Sequence, residues 1–152
     1  MYGIKTNGRK AIHIRPMKTK DLRMIVRSYK ASEGEKQELM KEWEKLFSYW
    51  GGDLSLVFYF TVLKGDKIIG EIAARILDDS PSEMLAIIRI QKSFKDLRPK
   101  VKELLIQMCN DFRICQNVLI VPEEEISLER MVKIGSPTDT FLLKDVKEFL
   151  EV

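Results

Sequence analysis

Histidine is almost absent from this chain. Its 152 residues include one, His13, and only two cysteines, Cys109 and Cys115. A multi-histidine metal centre is therefore excluded, and a Ser-His or Cys-His nucleophile pair would have to use that single ring. His13 sits in Ala11-Ile12-His13-Ile14-Arg15, where alternation puts it opposite the two isoleucines, on the outward side of a strand. The cysteines have neither metal-ligand spacing nor a second pair to join, so no metal is expected. A reducing, cytoplasmic setting with both thiols buried is the natural inference. Cys109 falls within a helical apolar stripe and Cys115 at the start of a core strand, so neither is placed for a covalent intermediate. Long apolar runs are missing too. None approaches the ~20 residues of a membrane span, and the polar opening residues, with Gly3, Gly8 and Arg9, do not read as a secretion signal. Repeats, linkers and low-complexity stretches are also absent, and one domain over residues 1–152 is expected.

What the chain does contain is an ordinary globular balance, 45% hydrophobic and 32% charged, with a formal charge of only +3. That charge admits anionic ligands but falls short of the basic footprint of a dedicated nucleic-acid binder. The lysines also lack the interleaved exposed aromatics of a single-strand binder, so nucleic acid is not the expected partner.

Hydrophobic spacing predicts the elements. A strand over 11–15 ends at Pro16, and Thr19 is placed to cap a helix from Lys20 whose apolar face is Leu22, Ile25, Val26 and Tyr29. Ser32-x-x-Glu35 forms a capping box before a second helix. That helix carries Leu39, Trp43, Leu46, Phe47 and Trp50 and ends at Gly51-Gly52. Residues 56–63 and 68–77 read as a hairpin about Lys64-Gly65-Asp66-Lys67. A turn at 78–82 leads to a third strand, 84–90. A helix from Pro99 follows, with Val101, Leu104, Leu105, Met108, Cys109 and Phe112 on its buried side. A strand over 114–121 and a short helix over 125–134 closed by Gly135 come next. From Ser136 the pattern is ambiguous: Thr140-Phe141-Leu142-Leu143 could pair as a strand, Val146, Phe149 and Leu150 fit a helix, and at least one strand is expected. The order β-α-α-β-β-β-α-β-α-tail predicts a three-layer α/β/α domain on a mixed, mostly antiparallel sheet.

One local feature runs against helix stability. The strand Ile87-Ile88-Arg89-Ile90 leads into a helix start crowded with Lys92, Lys95, Arg98, Lys100 and Lys102 against the single acid Asp96. Helix N-termini carry partial positive charge, so cations there oppose the macrodipole. An anionic ligand, most simply a phosphate, would account for them.

The element order and several strings resemble the GNAT acyltransferase superfamily, whose members usually move an acetyl group from acetyl-CoA to an amine. The strings are Ile14-Arg15-Pro16-Met17-Lys18-Thr19-Lys20-Asp21-Leu22, then Lys64 to Ile72 with Gly70 after its apolar pair, and Met131-Val132-Lys133-Ile134-Gly135. The resemblance implies a GNAT-like fold and acetyl-CoA as co-substrate. It places Ile88, Arg89, Ile90 and Gln91 along the pantetheine arm, and Lys95, Leu97, Arg98, Pro99, Lys100 and Val101 around the phosphates. Here the chain departs from the family: Pro99 and Val101 stand where glycines usually cradle the pyrophosphate. Proline offers no N–H and valine restricts close approach. Side chains would have to compensate, with Arg98 the fork-shaped candidate. Met131 stands at the place of the tyrosine that typically protonates the thiolate and has no proton to give. Glu124 replaces an asparagine often found near the pantetheine.

The implied activity is acyl transfer to a small-molecule or protein amine by direct attack, with Glu71, Glu83 and Glu124 as candidate bases. The aromatic residues Trp43, Phe47, Tyr49 and Trp50 read as core before they read as an acceptor pocket, and Tyr29 and Tyr59 are undecided. A homodimer is an admissible assembly. The alternative is a catalytically inactive GNAT-fold module with a binding or regulatory role.

Overall fold

The computed structural model describes residues 2–4, 11–48, 57–77, 82–134 and 148–151. Its strands are β1 (Tyr2–Ile4), β2 (Ile12–Pro16), β3 (Val57–Lys64), β4 (Lys67–Ile76), β5 (Glu83–Ile90), β6 (Asn117–Ile120) and β7 (Glu148–Glu151). They form one sheet in chain order. Every pairing is antiparallel except β5 with β6. The helices are α1 (Leu22–Arg27), α2 (Glu33–Ser48), α3 (Arg98–Asp111) and α4 (Leu128–Lys133).

The period of two along the strands sorts the core into two layers. Ile12, Ile14, Val62, Ile72, Ala74, Ala86 and Ile88 face α3, whose Val101, Leu104, Leu105, Met108 and Cys109 pack onto them. Val57, Tyr59, Ala73, Leu85 and Ile87 face the other way, against Leu22, Ile25 and Val26 of α1, Leu39 and Trp43 of α2, and Leu128, Met131 and Val132 of α4. Central strands covered on both faces explain why β4 and β5 read as nearly continuous apolar runs. The domain is thus the expected α/β/α arrangement. None of its described helices is long and apolar enough to cross a membrane.

Two glycines shape the middle of the sheet. Gly65 takes a φ of 62° in the β3–β4 turn, a conformation that costs a side-chain-bearing residue but not glycine. At Gly70, opposite Ile90, an added Cβ would lie 2.2 Å from the carbonyl oxygen of Arg89. Only hydrogen fits between β4 and β5 there.

Several expected boundaries are corrected. Thr19 does not cap α1: residues Thr19–Asp21 form a 3-10 turn, and the Asp21 carboxylate accepts the Lys18 N–H at 2.9 Å. Ser32 does cap α2, its Oγ accepting the Glu35 N–H at 3.2 Å. A 3-10 segment, Lys92–Leu97, precedes α3. Phe112 is 66% exposed, because α3 ends at Asp111 and the helical period ends with it. Arg113, at φ 52°, then turns the chain. Strand β6 begins at Asn117, not at residue 114, so Cys115 is a half-buried loop residue and starts no strand. The helix expected from Glu125 divides into a 3-10 turn, Glu123–Glu125, and α4, capped by Ser127. A tail strand exists, but at Glu148–Glu151, taking in Phe149 and Leu150 that had fitted a helix. Strand β1 was not anticipated. The expectations for residues 49–52, 78–81 and 135–147 lie outside the described residues, as does the side chain of Phe47.

Candidate functional site

Strand β5 is eight residues long and its parallel partner β6 only four. They pair from Glu83/Asn117 to Ala86/Ile120, and the last bond runs from the Val121 N–H to the Ala86 carbonyl at 2.9 Å. Pro122 then turns the chain into the 3-10 segment, while β5 continues as Ile87–Ile90. The two chains diverge, and a cleft of about 600 Å³ opens beside the far half of β5. Such a volume suits a small molecule or an extended cofactor arm.

The cleft is cationic in balance. Lys30, Arg89, Lys92, Lys95 and Arg98 line it, with Glu35 and Glu123 as the opposing acids. Of the residues expected around a CoA molecule, the structure brings Ile88, Arg89, Ile90, Lys95 and Arg98 into this cleft. The others lie apart. Gln91 turns toward β4, its Nε2 donating to the Ile68 carbonyl at 3.4 Å. Leu97 packs on the α3-side core, Lys100 is exposed, and Val101 is fully buried within that core. Pro99 does not line the cleft itself but borders a smaller adjoining depression that shares Lys95, Arg98 and Glu123 with it. The backbone at this helix start is also partly committed, because the Arg98 N–H donates to the Lys95 carbonyl.

Arg98 itself is only 6% exposed. Its Nε donates to the Ile88 carbonyl at 3.1 Å and an Nη to the Val121 carbonyl at 3.3 Å. Glu123 lies 3.5 Å away. The guanidinium thus spans the gap between the two diverging strands.

Glu71 is fully buried, and its partners come from the sheet register. Glu71 of β4 stands opposite Arg89 of β5. Arg89 donates through Nε at 2.6 Å and through an Nη at 2.9 Å, a fork on both carboxylate oxygens. The Tyr29 hydroxyl donates to the same carboxylate. Arg89 also stacks on the Tyr29 ring at 3.9 Å and reaches Ser28 Oγ at 2.5 Å. Burial pushes the Glu71 carboxyl above its ordinary range, and the Arg89 charge and hydrogen bonds only partly oppose this. Tyr29 is pushed well above its ordinary value, by burial first and then by the Glu71 charge. Glu71 does not line the cleft, whereas Tyr29 and Arg89 do.

Neither other candidate base lies in the cleft lining. Glu83 begins β5, six residues from Arg89, roughly 20 Å along an extended strand. Glu124 is exposed beside the cleft residue Glu123. Met131, in the tyrosine's place, is fully buried. The cysteines border a separate depression with Ser82, Asn110 and Gln116. Burial, with Cys115 beside it, raises the Cys109 thiol to about 12. Sequence reasoning missed Lys30, Glu35, Glu123 and Ser127 as cleft residues. The available signal for the Glu71–Arg89 pair was the hairpin register, which sets the two side chains across from each other.

No protein-family model matches the sequence, and no curated protein matches it either. Solved structures do match in fold. The chain is similar to the PaiA N-acetyltransferase of Thermoplasma acidophilum in complex with coenzyme A, at a TM-score of 0.55 and 12% identity over 93% of this chain and 99% of that one. It is similar to Mycobacterium smegmatis RimJ in complex with CoA-disulfide, at a TM-score of 0.59 and 10% identity over 82% and 68%. The ribosomal-protein-S5-alanine acetyltransferase of Vibrio fischeri matches at 0.54 and 14% identity over 89% and 81%. The chain has the GNAT acetyltransferase fold. At these identities the likeness is one of fold, a mixed sheet with flanking helices.

Proposed function

We propose that this GNAT-fold protein is an acyl-CoA-dependent N-acetyltransferase that moves the acyl group to an amine by direct attack. The observation that carries the reading is the cationic cleft at the β5–β6 divergence, an opening of about 600 Å³ with five basic side chains around it. Three of the solved structures with this fold are complexes with coenzyme A or its disulfide. An acyl-CoA supplies a thioester whose carbonyl carbon an amine can attack. In this chain Lys92 and Lys95, both exposed beside the far end of β5, are the cations nearest the expected phosphate position, and exposed Lys30 also lines the cleft. They would replace the missing glycine cradle with side-chain charge. Ile88 to Ile90 flank the arm. The amine must lose a proton; Glu71 can be reached through Tyr29, and Glu35 and Glu123 on the cleft wall are other acceptors.

The test is a thermal-shift titration with acetyl-CoA and CoA, followed by release of free thiol in the presence of a panel of amines. Binding to the native state must raise the melting temperature, by RT ln(1 + [L]/Kd) in free energy. Lys92→Ala together with Lys95→Ala should weaken binding at least about tenfold and make its remaining loss with added salt shallower, because fewer charge contacts are left to screen. No shift at about millimolar acetyl-CoA, roughly the weakest affinity worth calling specific, would sink the proposal. A shift without thiol release for any amine would reduce it to CoA binding alone.

A further inference from the structure

We infer that Arg98 is a latch across the mouth of the β5–β6 divergence, a positioning residue that an acyl-CoA arm must displace before it can lie along β5. The inference rests on the reading of this cleft as the acyl-CoA site.

Beyond Ala86 the β5 backbone has lost its β6 neighbour, so the Ile88 carbonyl needs another donor. Arg98 Nε supplies it at 3.1 Å, and the same guanidinium reaches the Val121 carbonyl at 3.3 Å on the opposite bank. One planar fork therefore sets the separation of two strands that no longer hold each other. An extended ligand using the Ile88 carbonyl competes with Arg98 for the same acceptor.

The surroundings argue against Arg98 as a direct phosphate ligand. Its side chain is 8% exposed, two of its nitrogens are committed to carbonyls, and Glu123 is 3.5 Å away to offset its charge. Exposed Lys92 and Lys95 on the same cleft carry no such engagement. The arginine closes the groove while the lysines meet the anion.

A closed latch reduces apparent affinity by the fraction of molecules in which it is open. If it is open in about one molecule in ten, freeing it tightens CoA binding about tenfold. ADP shares the pyrophosphate but has no pantetheine arm, so it should be nearly indifferent to the latch. The experiment is calorimetric titration of CoA and of ADP into the wild type, Arg98→Met and Arg98→Lys. Arg98→Lys retains the charge but cannot span both carbonyls, and it keeps the test available should the methionine variant fail to fold. A latch requires tighter CoA binding in both variants with ADP binding within about twofold of wild type. CoA binding that is unchanged or weaker in Arg98→Lys overturns the latch and leaves the cleft assignment standing. If neither wild type nor variants bind CoA, the cleft assignment itself fails and the latch with it.

Discussion

Two carboxylates are buried beneath the helices on the same face of the sheet, and their surroundings shift them in opposite directions from the ordinary carboxylate range. Both are held by one transverse row: Arg15, Thr61, Glu71 and Arg89 stand side by side across β2, β3, β4 and β5. Asp21 hangs over the first half of the row and Tyr29 over the second. Each acid receives an arginine fork, Asp21 from Arg15 at 2.7 and 3.0 Å and Glu71 from Arg89. Asp21 also accepts from the Lys18 N–H and from Thr61 Oγ1 at 2.8 Å. Burial pushes the Asp21 carboxyl up, yet the hydrogen bonds from Arg15, Lys18 and Thr61, with the Arg15 charge, carry it below its ordinary value. At Glu71 burial wins. The more deeply buried acid is the one its donors fail to bring back, so the balance of burial against donors sets each direction. The Asp21 cluster locks β2 to α1, while the Glu71 cluster borders the cleft through Tyr29 and Arg89.

The largest effect should come from breaking the second cluster. Glu71→Ala leaves Arg89 buried without its counter-charge, which costs about 3–5 kcal/mol. Replacing the whole pair, Glu71→Leu with Arg89→Met, should recover most of that loss, because an apolar pair leaves no stranded charge. Urea denaturation of the single and double variants checks this. A double variant as unstable as Glu71→Ala would mean that the pair itself, not the orphaned charge, holds β4 to β5.

The two acids should then separate by pH. Asp21 has a folded pKa below its ordinary 3.8. Its stabilisation is complete above that value and is lost as pH falls through the folded pKa. Asp21→Asn should cost about 2 kcal/mol near neutral pH and progressively less in acid. Glu71 has a folded pKa above its ordinary 4.5. The native state then binds the proton more tightly, so its contribution falls as pH rises from that value through the folded pKa. The deficit of Glu71→Gln should accordingly shrink as pH rises, while that of Asp21→Asn grows. Thermal melts of both variants between about pH 3 and 8 would show the opposite slopes; parallel curves would remove the distinction between the two clusters.

How much of this could be read in the chain follows the same division. The layers were legible because the apolar, β-branched runs of β3–β5 and the stripes of α1 and α3 are pattern signals, independent of what each side chain binds. Gly70 lay inside a string whose likeness to the GNAT fold was visible. The role of Arg98 was not, because a basic residue at a helix start looks the same whether it faces a phosphate or turns inward to two carbonyls. Only the unequal lengths of β5 and β6 create those acceptors, and the late start of β6 was hidden by the apolar residues Ile114 and Cys115. Arg89 and Glu71 were both singled out, for separate reasons. Their pairing needed the register of β4 on β5, which one extra residue in the turn would have reversed.

The smallest expected effect is the most discriminating for function. Tyr29→Phe removes one hydroxyl that donates to Glu71 and leaves the ring under Arg89 in place. Arg89 still covers both carboxylate oxygens, so stability should fall by only about 1 kcal/mol. If Tyr29 merely anchors the segment between α1 and α2, acyl transfer should fall no further than that small loss implies. If the hydroxyl is the route from cleft to Glu71, the substitution strands the base beneath Tyr29, out of reach of the cleft. Transfer should then drop about 10²-fold or more, the usual weight of a general base, while CoA affinity stays unchanged. The pH–rate profile separates the cases: loss of its acid limb in Tyr29→Phe supports the relay, and an intact limb at slightly reduced rate leaves Tyr29 as packing alone.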